Sequence, residues 1–214
     1  MASPRRVGAE TSKTRHVLLD GVEQLMRDEG YAAVTYRAVA AKAGVTPGLV
    51  QYYFPTLDDL FVAAIRRRAG RNLDRLADAL RTQPDRPLRV VWEFSRDEVT
   101  AALMTEFTAL GNHRKTIRSE IAAIAKRIRK VQLDAVKKRW RESRADDGDL
   151  PPDVLLFLLT GIPKLIKLEE GIGVSTAHAE VVEAFERYLD SAEPRPGGRK
   201  RKRKSLLTTG GRRA

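Results

Sequence analysis

The stretch Thr35 to Phe54, TYRAVAAKAGVTPGLVQYYF, leaves this chain a narrow choice of local structure. Thr35 can act as an N-cap, its hydroxyl accepting from an amide of the next turn, and Ala38, Val39, Ala40, Ala41 and Ala43 favour a short, closely packing helix. Gly44 can take the left-handed conformation that ends such a helix, and Val45 can plug the angle that follows from inside. Thr46 restarts the chain as the next N-cap, with Pro47 at the first helical position, where the missing N–H is not needed. The second helix, Pro47 to Phe54, is expected to bury Val50 and Phe54 and to leave Gly48, Gln51 and Tyr52 facing outward. Two short helices joined by a tight turn, the second presented to something outside, form a helix-turn-helix pattern.

At these residues the chain resembles the TetR family of bacterial transcriptional regulators. The resemblance reaches from about Lys13 to Ile65 and rests on Val39, Ala40, Ala43, Gly44, Val45, Thr46, Gly48, Tyr52, Tyr53, Phe54 and Leu60 in their spacing. Two positions depart from it. Gln51 stands where that family often carries tyrosine, and Leu57 where it often carries a phosphate-contacting lysine.

The N-terminal part of a recognition helix enters the groove, so Thr46, Pro47, Gly48, Gln51 and Tyr52 are the candidates for base-edge contacts. A glutamine can pair bidentately with adenine N6 and N7, and Pro47 and the Thr46 methyl can meet a thymine methyl. Gln51 as a merely solvated side chain is the competing reading. Thr35, Arg37, Lys42 and Tyr53 read as phosphate-positioning residues, which hold register without reading sequence. Lys13 and Arg15 are further candidates for phosphates, although basic residues at an exposed helix end are common.

The net charge of +12 points to a polyanionic partner, but it is unevenly placed. Arg195 to Ala214 holds nine basic residues and no acidic one, so Met1 to Pro194 is close to neutral. Four segments follow: a flexible basic arm at 1–12, a helix-turn-helix DNA-binding domain at 13–56, a helical ligand-binding and dimerisation domain at 57–190, and a disordered basic tail at 191–214. The arm carries Arg5 and Arg6 and is either a solvated terminus or a segment that tracks phosphates or enters a minor groove. The tail, rich in glycine, proline and like charge, cannot fold alone, and is either a nonspecific DNA tether or a solubilising extension. The absence of cysteine excludes disulfides, zinc ribbons and thiolate nucleophiles. MASPRRVGAETSK lacks the apolar region of a signal peptide, and the longest apolar run, Val154 to Leu159, is far too short to span a bilayer. A cytoplasmic protein with no membrane partner is expected.

The fold class expected is all-α: an N-terminal three-helix helix-turn-helix domain followed by a C-terminal helical ligand-binding and dimerisation domain. Leu18, Val22, Leu25 and Met26 place a first helix from Thr11 or Ser12 to Glu29, with Gly30 as its stop. Thr56 and Asp59 form a capping box for a long helix through Gln83, on which Arg66, Arg67 and Arg68 read as a solvated face. A helix rooted in both domains is mechanically able to couple them, and in the family resembled it carries the ligand signal. Pro87 to Phe94 reads as a short helix, and Ser95 with Glu98 as a capping box opening another to about Gly111. A long helix from about His113 to Arg144 shows Ile117, Ile121, Ile124, Ile128, Val131 and Ala135 along one stripe. Its remainder is basic, including Lys126, Arg127, Arg129, Lys130, Lys137, Lys138 and Arg139. That surface reads as solvated, with a site for an acidic ligand such as an acyl thioester or a carboxylate as the alternative. After a turn at Ala145 to Pro152, Asp153 to Glu170 is apolar nearly all round, with Pro163 expected to kink it. A last helix opens near Ser175 and Thr176. This pair resembles the last two helices of the family and would then form half of a four-helix dimer interface, the two-fold pairing that reading a palindrome needs.

A ligand pocket is expected among the middle helices, lined by Trp92, Phe94, Met104, Phe107, Leu110, His113 and Trp140, with Glu106 and His113 as the polar candidates. Each of these reads first as plain core, because apolar pocket walls and core residues share one composition. His16, His113 and His178 lie on different predicted helices and form no metal cluster, and no cofactor is expected. There is no Gly-rich phosphate loop, HExxH or GxSxG, so an enzyme is not expected. The reading is therefore a homodimeric, ligand-responsive regulator, a repressor as members of the family resembled most often are, bound to a double-stranded DNA operator and released by a small-molecule effector. The alternative is an architectural, largely nonspecific DNA-binding protein dominated by its basic tail.

Overall fold

The computed structural model describes residues 12–142 and 150–194, without side chains at 98–102 and 142. The expected arm at 1–11, the turn residues 145–149 and the basic run from Arg195 onward lie outside the described residues. Those described form α-helices joined by short connections, with no strand among them. In chain order they are α1 Lys13–Glu29, α2 Tyr36–Ala43, α3 Pro47–Tyr53, α4 Leu57–Thr82, α5 Pro87–Ser95, α6 Glu98–His113, α7 Lys115–Glu142, α8 Pro152–Glu170 and α9 His178–Ala192. A 3-10 turn, Tyr31–Ala33, joins α1 to α2.

The starts and stops follow local chemistry. The Ser12 side chain accepts from the Arg15 amide and Thr35 from Ala38. Thr56 and Asp59 complete both hydrogen bonds of a capping box. Gly44 ends α2 at φ 66°, in the left-handed region where a Cβ would crowd the backbone. Thr46 occupies the N-cap of α3 in extended conformation, but its side chain makes no capping hydrogen bond, so its hydroxyl is left for another partner.

Two cores hold the helices together. The first gathers Leu18, Val22, Val39, Val50, Phe54, Leu60 and Phe61 from α1 to α4 with Leu103, Phe107, Leu110, Ile117 and Ile124 from α6 and α7. Each large apolar side chain fully buried in this way contributes roughly 1.5–3 kcal/mol. The second core joins Leu88, Val91 and Trp92 of α5 to Val136 of α7, Leu155, Leu156 and Leu159 of α8 and Leu189 of α9. The first core thus spans the boundary expected at 56/57, so the helix-turn-helix shares its interior with the bases of α6 and α7.

Several expectations are corrected. Ser95 is the last residue of α5 rather than the N-cap of α6, and α7 begins at Lys115, two residues after His113 closes α6. The final helix begins at His178, because Ala177 takes a left-handed conformation (φ 64°) that no regular helix continues through. Arg66, Arg67 and Arg68 are not a common solvated face. Arg66 pairs with Glu120 of α7 at 2.7 Å, Arg67 with Asp20 and Glu23 of α1 at 2.7 and 2.8 Å, and Arg68 faces an internal cavity. Successive helical residues lie about 100° apart, so three in a row cannot share one environment. The body also extends past 190. Glu193 is buried, and its carboxylate accepts from the Leu88 and Arg89 amides at 2.8 and 2.9 Å, satisfying the N-terminus of α5. Its desolvation raises its pKa against those same hydrogen bonds. Helix α8 continues through Pro163 to Glu170.

Candidate nucleic-acid interface and internal cavity

Helix α3 is anchored by its inner residues and offers the others. Val50 is fully buried and Phe54, just past the helix, nearly so, whereas Thr46, Pro47, Gly48, Gln51 and Tyr52 are all exposed. The end of α3 is fastened by Tyr36, a residue not expected to matter, whose hydroxyl donates to the Phe54 and Pro55 carbonyls at 3.1 and 3.0 Å. Those carbonyls follow the helix, so the bond fixes the backbone where the chain leaves α3. Burial and then Asp59 raise the Tyr36 pKa, keeping it a donor.

The expected phosphate-positioning residues fall into two groups. Arg37, Lys42 and Lys13 are exposed and point their charge to solvent. Lys42 passes its stem across Gly21 of α1, its Cβ lying 3.4 Å from where a Cβ on Gly21 would sit. Tyr53 and Arg15 are partly buried and already engaged. The Tyr53 hydroxyl lies 3.0 Å from Ser12 Oγ, which sets the start of α1 beside the end of α3, and the Arg15 guanidinium lies 4.9 Å over the Phe54 ring. The Thr35 hydroxyl caps α2 through the Ala38 amide at 3.1 Å.

A cavity of about 490 Å³ opens between α4, α6, α7 and α8, a size suited to a small organic molecule. Of the residues expected to line a pocket, Phe94, Met104 and Phe107 face it. The others are placed elsewhere. Trp92, two residues before Phe94 and so about 200° round the helix, is fully buried in the second core, stacked 5.0 Å from Phe185 with its indole N–H donating to Glu186 at 2.8 Å. Leu110 belongs to the first core, His113 is exposed at the end of α6, and Trp140 is partly buried near the end of α7 away from the lining. Glu106 accepts the Tyr31 amide at 2.8 Å instead of facing a ligand.

Of the polar lining, Arg129 was among the basic residues for which an acidic-ligand site was the alternative reading, and the rest was not foreseen. Arg68 and Asn72 come from α4, Arg129 and Gln132 from α7, and Thr160 and Lys164 from α8. Asn72 is 3% exposed and its side-chain oxygen has no hydrogen-bond partner. The signal was present in the sequence: Asn72 interrupts the apolar stripe of Phe61, Ile65 and Leu76, and Thr160 follows Leu156 and Leu159 on theirs. Among the described residues no group of His, Cys, Asp and Glu is arranged to hold a metal ion, and His178 instead lies 2.6 Å from Glu169. No helix among them is long and apolar enough to cross a membrane.

Residues 18–64 match the family model described as bacterial regulatory proteins, tetR family. The chain is 30% identical over 104 residues to the HTH-type transcriptional regulator BetI of Rhizobium meliloti, a match spanning 49% of this chain and only 46% of that relative. It is 24% identical over 194 residues to the HTH-type transcriptional repressor AcnR of Corynebacterium diphtheriae, covering 86% of this chain and 96% of the relative. Among solved structures, a transcriptional regulator from Saccharomonospora viridis in complex with choline superposes with a TM-score of 0.69 at 18% identity, over 85% of this chain and 95% of that one.

Proposed function

The chain belongs to the tetR family of bacterial regulatory proteins, and on that premise we propose that it is a ligand-responsive transcriptional repressor. It binds a palindromic operator as a homodimer, reads it with α3, and leaves it when a small molecule fills the cavity. The observation that carries this reading is the shared interior. Ile65, Phe107 and Ile124 line the cavity and also belong to the core that holds α3 in place through Val50 and Phe54. A ligand that repacks these side chains acts on the seating of the reading helix, because packed cores change between discrete arrangements.

Residues 13–56 form the reading unit in this proposal. Thr46, Pro47, Gly48, Gln51 and Tyr52 meet base edges, while Thr35, Arg37, Lys42, Tyr53, Lys13 and Arg15 position the backbone. Dimerisation is supported by α8, where Val154, Phe157, Leu165 and Leu168 remain 45%, 63%, 55% and 57% exposed at helical spacing, with Ile172 just past its end 75% exposed. A second copy of α8 and α9 would cover that stripe. The choline held by the Saccharomonospora viridis protein supports a small molecule as effector.

The experiment is selection of genomic DNA fragments by the purified full chain at near-physiological salt, followed by sequencing. The expected result is a short inverted repeat bound far more tightly than random duplex. Recovery of DNA without any enriched motif would overturn the proposal in favour of nonspecific binding dominated by charge.

A further inference from the structure

The cavity is not uniform. Asp58 pairs with Arg114, and Arg66 with Glu120 at 2.7 Å, so α4 and α7 run side by side in the same direction. The part of the cavity toward the starts of both helices is uncharged and mostly apolar, bounded by Ile65, Ile121 and Ile124 with Phe107, Thr108 and Asn112 from α6. Further along the same helices the lining becomes polar and cationic, with Arg68 and Asn72 on α4 and Arg129 and Gln132 on α7. Lys164 of α8 joins this part, near enough to Arg129 for the two positive charges to oppose each other.

Arg129 and Lys164 form no ion pair with another described residue, the Arg129 guanidinium lying 6.0 Å from the centre of the Phe157 ring. The other cations of the lining are already countered, Lys167 by Glu170 at 2.8 Å and Arg68 by Glu23 and Asp97, and Asp97, the carboxylate among the described lining residues, is bound by Arg75 at 3.0 Å. Burial and then Arg129 lower the Lys164 pKa, and burial likewise lowers that of Arg68. Cations held together against apolar walls favour an anion between them and disfavour another cation. Asn72, buried with its side-chain oxygen unpartnered, can present either its oxygen or its NH2 by turning the amide, and so can donate to an oxyanion.

We infer that the effector is an organic anion with one carboxylate head and an apolar body, its head between Arg129 and Lys164 and its body along Ile65, Phe107 and Ile124. This inference rests on the proposal that the cavity is the effector site. It specifies the chemical class that the site admits: the carboxylate draws the cationic residues together, while the body fills the space next to the core shared with α3.

The test is calorimetric titration of the full chain with octanoate, 1-octanol and octyltrimethylammonium, which share one alkyl body and differ in head charge. Octanoate is expected to bind at least about tenfold more tightly than either of the others, as a charge-assisted hydrogen bond requires. Lys164→Gln and Arg129→Gln should each weaken octanoate about tenfold and leave 1-octanol unchanged, with both variants retaining the native melting transition. Equal binding of the alcohol or the cation, no binding of octanoate, or unchanged octanoate affinity in both variants overturns the inference. A parallel measurement of operator release separates this from the proposed function. Octanoate that binds as expected without releasing operator sinks the repressor reading alone; release by the neutral or cationic probe without octanoate binding sinks the carboxylate assignment alone.

Discussion

Glu106 of α6 accepts the backbone N–H of Tyr31 at 2.8 Å, joining positions 75 residues apart in sequence. The contact sits where α1 turns toward the helix-turn-helix. Gly30 holds φ 82° there, a conformation that favours glycine, and a Cβ on it would lie 3.3 Å from the Glu106 carboxylate and press on it. The same helix carries Met104 and Phe107 into the cavity, so α6 touches the cavity on one face and the approach to α2 on another. Glu106→Ala is expected to lower stability by about 1–3 kcal/mol, since it strips a partly buried amide of a charged acceptor. Glu106→Gln, which still offers a carbonyl, should recover most of the loss in urea denaturation. Equal losses in both variants would show that the carboxylate's charge, not its acceptor geometry, holds Tyr31.

Glu23 of α1 is nearly buried and accepts from Arg67 at 2.8 Å and from Arg71 at 2.6 and 2.7 Å. Arg67 is itself only 12% exposed at its side chain. Removing one member of such a group leaves the others uncompensated, so Glu23→Ala should destabilise by about 3 kcal/mol. The denaturation midpoint checks this, and a change below about 0.5 kcal/mol would place the network among solvated surface pairs.

Gln51 and Arg37 are both exposed, yet their replacement is expected to act differently. Gln51→Ala should reduce discrimination at one operator position by about 1–3 kcal/mol. Arg37→Ala should weaken all duplexes alike and lower the salt slope by roughly one. Binding titrations against operator and single-base variants at several salt concentrations distinguish the two, and a base-specific loss in Arg37→Ala would contradict its positioning role.

The Arg66 hydrogen bond, opposed in part by burial, holds the Glu120 carboxyl below its ordinary value of 4.5. A carboxylate with a lowered folded-state pKa contributes stability above the unfolded value and loses it as pH falls through the folded one. Stability should therefore drop between neutral pH and the region below 4.5 by less in Glu120→Gln than in the unaltered chain. Chemical denaturation at both ends of that range is the measurement, and identical drops would remove Glu120 from the acid response.

The helix ends from α1 to α4 were legible from residue chemistry because they depend on neighbours within one turn, whereas Ser95 and the Ser175–Thr176 start misled. Ser12, Thr35, Gly44 and the Thr56–Asp59 box all act over three or four residues. Charged residues were harder to place. Arg66, Arg67 and Arg68 are three identical residues in a row, but the partners of Arg66 and Arg67, Glu120, Asp20 and Glu23, come from α7 and α1. The pocket was harder still. Trp92 and Phe94 are both aromatic residues of α5, and only the packing of α8 and α9 on one side and the cavity on the other separates them.

By itself, then, the amino-acid order determined the all-helical class, the helices from α1 to α4, the turn at Gly44 and the outward set of Thr46, Pro47, Gly48, Gln51 and Tyr52, because capping, glycine conformation and helical periodicity are short-range. Tertiary structure alone decided that Glu106 holds Tyr31, that Arg67 and Arg71 share Glu23, and that Asn72, Arg129 and Lys164 meet around one cavity. Those contacts join residues on different helices, and their formation depends on how the helices pack, which no local spacing encodes.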